Sequence, residues 1–301
     1  MAISIATNLA ALRAQRQVSL ATGKLRNSYE QLSTGSRINN ARDDAAGLAI
    51  STSLRAQARI ASAGIRNAND GISLTSIGNA ALGEITNILT RMAQLAEQSA
   101  TGTIGMSRRS SIQLEFVALG SEIDRIATTT IFNGITVLSN QNNLVLQVGY
   151  NSMSTSGITV RAVQGTLEGI RLASAGSNQM NYRVIGETEL AAQANAKTAL
   201  DAVLAAIENV GQSRGSLGAD QSRLASSVGT LQSARENFEA ADTRIRDVDF
   251  ADKTTQAVKL DILQSTGLAI LGQANQQPEI ALRLLEPPSI APPNPLIPPK
   301  P

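Results

Sequence analysis

The stretch LGADQSRLASSVGTLQSARENFEAADTRI (Leu217–Ile245) places Leu217, Leu224, Leu231, Phe238 and Ile245 at strict seven-residue intervals. A repeat of seven held over five positions draws a narrow apolar stripe down one helix, the pattern of helix-on-helix seams. The same periodicity appears elsewhere. Val18, Leu25 and Leu32 recur every seven residues, and Leu82, Ile85, Leu89 and Met92 step by three and four. Ile112, Phe116, Leu119, Ile123 and Ile126 do likewise. Ala and Ser fill many positions between them, which lets helices approach closely. An ordinary helical bundle and an elongated coiled-coil rod both satisfy this spacing.

The middle of the chain reads differently. Asn133-Gly134 is a turn signal. It is followed by the β-type runs Ile135–Leu138, Leu144–Val148 and Ile158–Val163, with a further strand expected at Tyr182–Ile185. After Glu187 the helical pattern resumes. The expected fold is therefore mainly α: paired N- and C-terminal helices forming an elongated rod, with a coiled-coil inner segment and a small β-hairpin region between them. Charge agrees with the pairing. Residues 1–42 carry six basic side chains and one acid, whereas residues 236–261 carry seven acids and four bases.

Composition narrows the chemistry. The 301 residues include no His, Cys or Trp and only 2% aromatics. Zinc, copper, haem and iron–sulfur ligand sets cannot be assembled from this inventory, nor can Cys–His or Ser–His–Asp catalysis or any disulfide. The net charge of +2 comes without a basic run, which gives no nucleic-acid footprint. No 18 consecutive residues are apolar, so no membrane span is expected. The opening residues lack the features of a cleaved signal peptide. There is no phosphate-binding glycine loop. Asp43 and Asp44, adjacent on a helix, point about 100° apart and read as helix N-terminal acids, and the pair Asp247/Asp249 lacks the third ligand and Gly-rich loop of a calcium site. No cofactor is expected. Eight of the nine prolines fall in residues 287–301, an extended polyproline-like tail of about 50 Å by its rise per residue.

Two long segments carry a resemblance. QLSTGSRINNARDDAAGLAIS (Gln31–Ser51) and LQSARENFEAADTRIRDVDFA (Leu231–Ala251), with Ile131–Gly134 and ILGQANQQPEIALRLL (Ile270–Leu285), are similar to the bacterial flagellins in the same order and polarity. The resemblance implies a secreted structural protein that leaves the cell unfolded through the flagellar type III apparatus. It then polymerises into the extracellular filament for motility. The alternatives are the related hook–filament junction protein and, more distantly, an enzyme built on a helical scaffold. The implied organisation is an inner terminal-helix domain from 1–44 and 252–285, and a rod from 45–186 with a β region near 131–186. A returning rod helix follows at 187–251, with the tail at 286–301.

Implied partners are other copies of the chain, the flagellar cap and hook-junction proteins, and an export chaperone at the C-terminal helix. Toll-like receptor 5 is implied through Arg91, Leu95 and Glu115, where Arg91 and Leu95, four apart, share a helix face. The expected assembly seam comprises Leu224, Leu231, Phe238 and Ile245 in the rod, and Ile262, Leu263, Ile270, Ile280 and Leu284 in the inner helices. Outer-loop Ser152, Ser154, Thr155 and Ser156 are candidates for O-linked sugars, and no N-x-S/T sequon is present.

Overall fold

The computed structural model describes residues 7–149, 156–177 and 179–285, without the side chains of 280–285. The proline-rich tail, Ser152, Ser154, Thr155 and the side chains of Ile280 and Leu284 lie outside the described residues. Five helices account for most of what is described: α1 Leu9–Thr34, α2 Ala45–Ala100, α3 Met106–Thr129, α4 Glu189–Arg246 and α5 Phe250–Leu285. Four short strands lie between α3 and α4: β1 Ile131–Phe132, β2 Ile135–Thr136, β3 Leu144–Gln147 and β4 Gly157–Val160. The mainly α reading stands. The chain divides into two compact units, one from 1–52 with 241–301 and one from 53–240.

In the first unit α1 packs antiparallel on α5. The N-cap of α1 is Asn8, whose side-chain oxygen accepts from Ala11 N at 3.0 Å. Its Nδ2 donates 2.7 Å to Ala274 O. That carbonyl is free because Pro278, four residues on and inside α5, has no N–H to give it. One asparagine thus satisfies an orphan donor of α1 and an orphan acceptor of α5. At the other end α1 stops at Gly35, whose φ of 68° is left-handed. The chain then pairs with the segment between α4 and α5 through an antiparallel bridge, Ser36↔Asp247. Arg37 N donates to Arg246 O at 2.6 Å, Val248 N to Gly35 O at 3.1 Å, and the Arg37 guanidinium to Ile245 O at 2.7 Å. The suspected acid pairs serve as turn and cap groups. Asp43 Oδ2 accepts from Asn39 N and Asn40 N, Asp44 Oδ1 from Gly47 N, and Asp249 Oδ1 from Ala251 N and Asp252 N. Asp242 also accepts a short bond from Ser51 Oγ.

In the second unit the seven-residue repeat of α4 extends further back than the leucines suggest. Ala196, Val203, Val210, Leu217, Leu224 and Leu231 are all buried. Ala192, Ala199 and Ala206 occupy the alternating buried positions. The facing helix supplies the complement. On α2 the buried positions Ala61, Ala68, Leu82, Leu89 and Ala96 keep one seven-residue row. Gly64, Gly71 and Gly78 keep a second. A Cβ on Gly64 would meet Val148 O at 2.7 Å and Leu231 Cδ1 at 3.2 Å. On Gly71 it would meet Leu146 Cδ1 at 2.2 Å and Leu224 Cδ1 at 3.1 Å, and on Gly78 Val137 Cγ1 at 3.0 Å and Leu217 Cδ1 at 3.4 Å. Each leucine of α4 therefore stands over a glycine of α2, with a residue of the β region wedged beside it. The pairs step in register because both helices repeat every seven residues. At Asp220 the α4 row is polar: this carboxylate, only 1% exposed, accepts from Arg161 N and pairs with the Arg161 and Arg223 guanidinium groups.

The β region forms two separate two-stranded antiparallel sheets, β1–β2 and β3–β4, the latter in register Leu144↔Val160 to Gln147↔Gly157. Asn133 (φ 48°) and Gly134 (φ 79°) turn β1 into β2, both left-handed as a tight two-residue hairpin requires. The strands are shorter than the apolar runs that suggested them. The strand expected at Tyr182–Ile185 does not form. Its backbone is held instead by helix side chains: Val184 N donates to Gln113 Oε1, Ser99 Oγ donates to Val184 O, and Asn195 Nδ2 donates to Ile185 O. An apolar run alone does not reveal whether a neighbouring strand or a polar side chain will answer its backbone.

Candidate assembly surface

Helices α1 and α5 pack largely through small side chains. Where α1 meets α5 the buried residues are Ala21, Leu25, Ala257 and Ala274, with the polar Ser28 and Gln31. The large apolar side chains face out: Leu9, Leu12 and Leu20 on α1, and Val258, Ile262, Leu263, Leu268 and Ile270 on α5, each more than half exposed. A helix pair that relied on its own interface would bury leucines and isoleucines and expose alanines. The excess here leaves large apolar side chains exposed on more than one face of α5, surface of the kind that marks association sites. The expected inner seam residues Ile262, Leu263 and Ile270 belong to this outward set, at 57%, 51% and 53% exposure.

The rod residues of the expected seam fall elsewhere. Leu224 and Leu231 are buried within their own chain, on Gly71 and Gly64. Phe238 and Ile245 are half-buried. The seam thus separates into an intrachain part, satisfied by α2, and an outward part on α5.

Arg91 and Glu115 are brought together. Arg91 Nη2 lies 2.7 Å from Glu115 Oε1 and Nε donates to the same oxygen at 2.8 Å, joining α2 to α3 with both side chains about half exposed. Leu95 does not join them. It is 2% exposed and belongs to the core with Leu89, Met92 and Ala96. Four residues along a helix turn through 400°, a 40° offset from the starting direction. At the margin of a buried stripe that offset carries one residue to solvent and the other inside. Nearby on α3, a hydrogen bond from Arg125 holds the Glu122 carboxyl below its ordinary range and Glu122 raises Arg125 in turn. Both groups are solvent-exposed, so this pair decorates the surface.

Among the described residues no group of His, Cys, Asp or Glu could hold a metal, and no helix is long and apolar enough to cross a membrane. What the geometry offers is surface for a protein partner, and the comparisons say which kind. The family model for the bacterial flagellin N-terminal helical region matches residues 5–143, and that for the bacterial flagellin C-terminal helical region matches residues 200–285. The chain belongs to the bacterial flagellin family. It is a structural subunit of the flagellar filament and not an enzyme. The flagellin of Halalkalibacterium halodurans is 39% identical over 279 residues, spanning 92% of this chain and 98% of that one. Flagellin A of Vibrio cholerae is 33% identical over 379 residues, spanning 95% and 100%. A crystal structure of Bacillus cereus flagellin aligns at 31% identity over 59% of this chain and 94% of that chain, with a TM-score of 0.45.

Some structural residues of this flagellin escaped the sequence reading. The Gly64, Gly71, Gly78 row had a visible signal, glycines spaced by seven on a helical pattern. The Asn8–Ala274–Pro278 arrangement was signalled only by a proline inside a helical run. Buried Arg109 had none, because nothing local tells a buried arginine from a solvated one.

Proposed function

We propose that the outward apolar residues of α1 and α5 are covered by other copies of the chain in the filament. In this reading Ile262, Leu263 and Ile270 lie in the inner seam, with Ile280 and Leu284 continuing it. The inner domain comprises 1–44 and 252–285, and the rod comprises 45–186 and 187–251. The observation that carries this is the packing of α1 on α5: among the described side chains Leu25 is the one large aliphatic they bury, while eight others are more than half exposed. Export as an unfolded chain through the type III apparatus, guided by a chaperone on α5 and completed under a cap, agrees with a sequence that has no cysteine to crosslink.

Seeded polymerisation tests the seam. Burying one isoleucine contributes about 1.5–3 kcal/mol, so Ile262→Ser is expected to raise the critical subunit concentration about tenfold or more. The melting of the 53–240 unit should not change, since Ile262 lies outside it. An unaltered critical concentration would remove Ile262 from the seam.

A second reading is favoured by the exposed Arg91–Glu115 pair: recognition of the free subunit by Toll-like receptor 5, with Leu95 acting from beneath by holding α2 in place. Arginine anchors often dominate interfaces, so Arg91→Ala is expected to lower signalling in a receptor reporter assay about tenfold or more. An exposed ion pair adds under about 1 kcal/mol to stability, so the fold should be unaffected. Equal signalling by wild type and variant would exclude the pair as a receptor contact.

A further inference from the structure

A cavity of about 440 Å³ lies between α3 and the segment that returns to α4, lined by Gln113, Ser121, Leu167, Tyr182, Arg183 and Met180. Met180 has an unusual seat. Its thioether lies directly on the backbone of α3 at Gly120, where a Cβ would come within 2.8 Å of both Sδ and Cε. Gly120 is buried, and Met180 is packed against the core yet only partly buried. Its backbone bridges to Ala173, and the next residue's N–H donates to Leu172 O at 3.0 Å. Met180 is therefore a peg seated in a notch of α3, with the cavity open beside its side chain.

We infer that Met180 is an oxidation site at which a peroxide-class oxidant loosens this segment from α3. The sulfur lone pair takes one oxygen from hydrogen peroxide, the O–O bond breaks, and water leaves, giving the sulfoxide. The added oxygen is polar and cannot share the space against Gly120. It must turn into the cavity, toward Gln113 and Ser121, and lift the thioether off its notch. Susceptibility follows exposure. Met92, fully buried between the long helices, is shielded until the unit opens.

The test treats the purified full-length subunit with hydrogen peroxide and maps its tryptic peptides by mass. Cleavage after Arg171 and Arg183 yields residues 172–183, in which Met180 is the sole methionine. Met180 is expected to gain one oxygen about tenfold faster than Met92, in line with their exposure. The oxidised subunit is expected to melt about 2–4 °C lower. Met180→Leu, a volume-conserving change, keeps the native melting temperature and should lose none of it on peroxide treatment. Met180 left unmodified while Met106, half-buried at the start of α3, is fully oxidised would overturn the inference. So would an equal melting loss in wild type and Met180→Leu.

Discussion

Leu224→Ala is expected to destabilise the 53–240 unit by about 2–5 kcal/mol, in the upper part of that range. Leu224 is fully buried, and its Cδ1 stands over Gly71 on α2. The cost of a large-to-small change depends on how well the site can collapse. Here the facing residue is a glycine with no side chain to move in. The wedge beside it, Leu146, is tethered by the β3–β4 ladder. The helices themselves are kept in place by the neighbouring pairs Leu231 on Gly64 and Leu217 on Gly78. Denaturant unfolding followed by circular dichroism should show a lower midpoint at unchanged slope, the mark of a lost contact in a fold that persists. A loss below about 1 kcal/mol would mean that the seam repacks freely, contrary to the close packing of native interiors.

That seam was the most legible part of the sequence, and the reason is physical. A seven-residue repeat is written in the large residues of α4 themselves, so Leu217, Leu224 and Leu231 announce their own burial. Their partners are glycines, which carry no hydrophobic signal, and only their spacing gives them away. The terminal helices were legible as helices, but their packing was not. Ile262 and Leu263 read as seam residues from their spacing and hydropathy, but the small side chains that fill much of the α1–α5 interface, Ala21, Ala257 and Ala274, carry no such signal. The burial of Leu95 was hidden for a related reason: sequence spacing gives direction around a helix to within tens of degrees, and a core boundary is sharper than that. The strand expected at Tyr182–Ile185 was lost to side-chain hydrogen bonds with Ser99, Gln113 and Asn195, the first two distant in sequence.

Arg109 offers the harder test, because its role depends on geometry that charge alone cannot supply. Its guanidinium is fully buried. Nη1 donates 3.0 Å to Glu189 O at the start of α4, and Nη2 donates 2.8 Å to Thr101 O just past the end of α2. One side chain on α3 thereby ties three helices together, and its charge sits where the carbonyl end of the α2 dipole favours a cation. Nε has no hydrogen-bond partner, so part of the desolvation cost is not offset. Two effects oppose each other when Arg109 becomes Met. The buried charge is removed, which is favourable, while two carbonyls lose charged donors worth about 1.5–3 kcal/mol each. The lost bonds win, and a net loss of about 2–4 kcal/mol is expected. Arg109→Lys separates charge from shape. Lysine keeps the cation, but its single ammonium lacks the planar fork that spans two carbonyls. It should therefore lose nearly as much as Met. Hydrogen exchange should quicken at the end of α2 and the start of α4 in both variants, while the Leu217–Leu231 seam stays protected. A lysine variant as stable as wild type would show that charge at the end of α2 suffices and that the bridge between α2 and α4 contributes nothing.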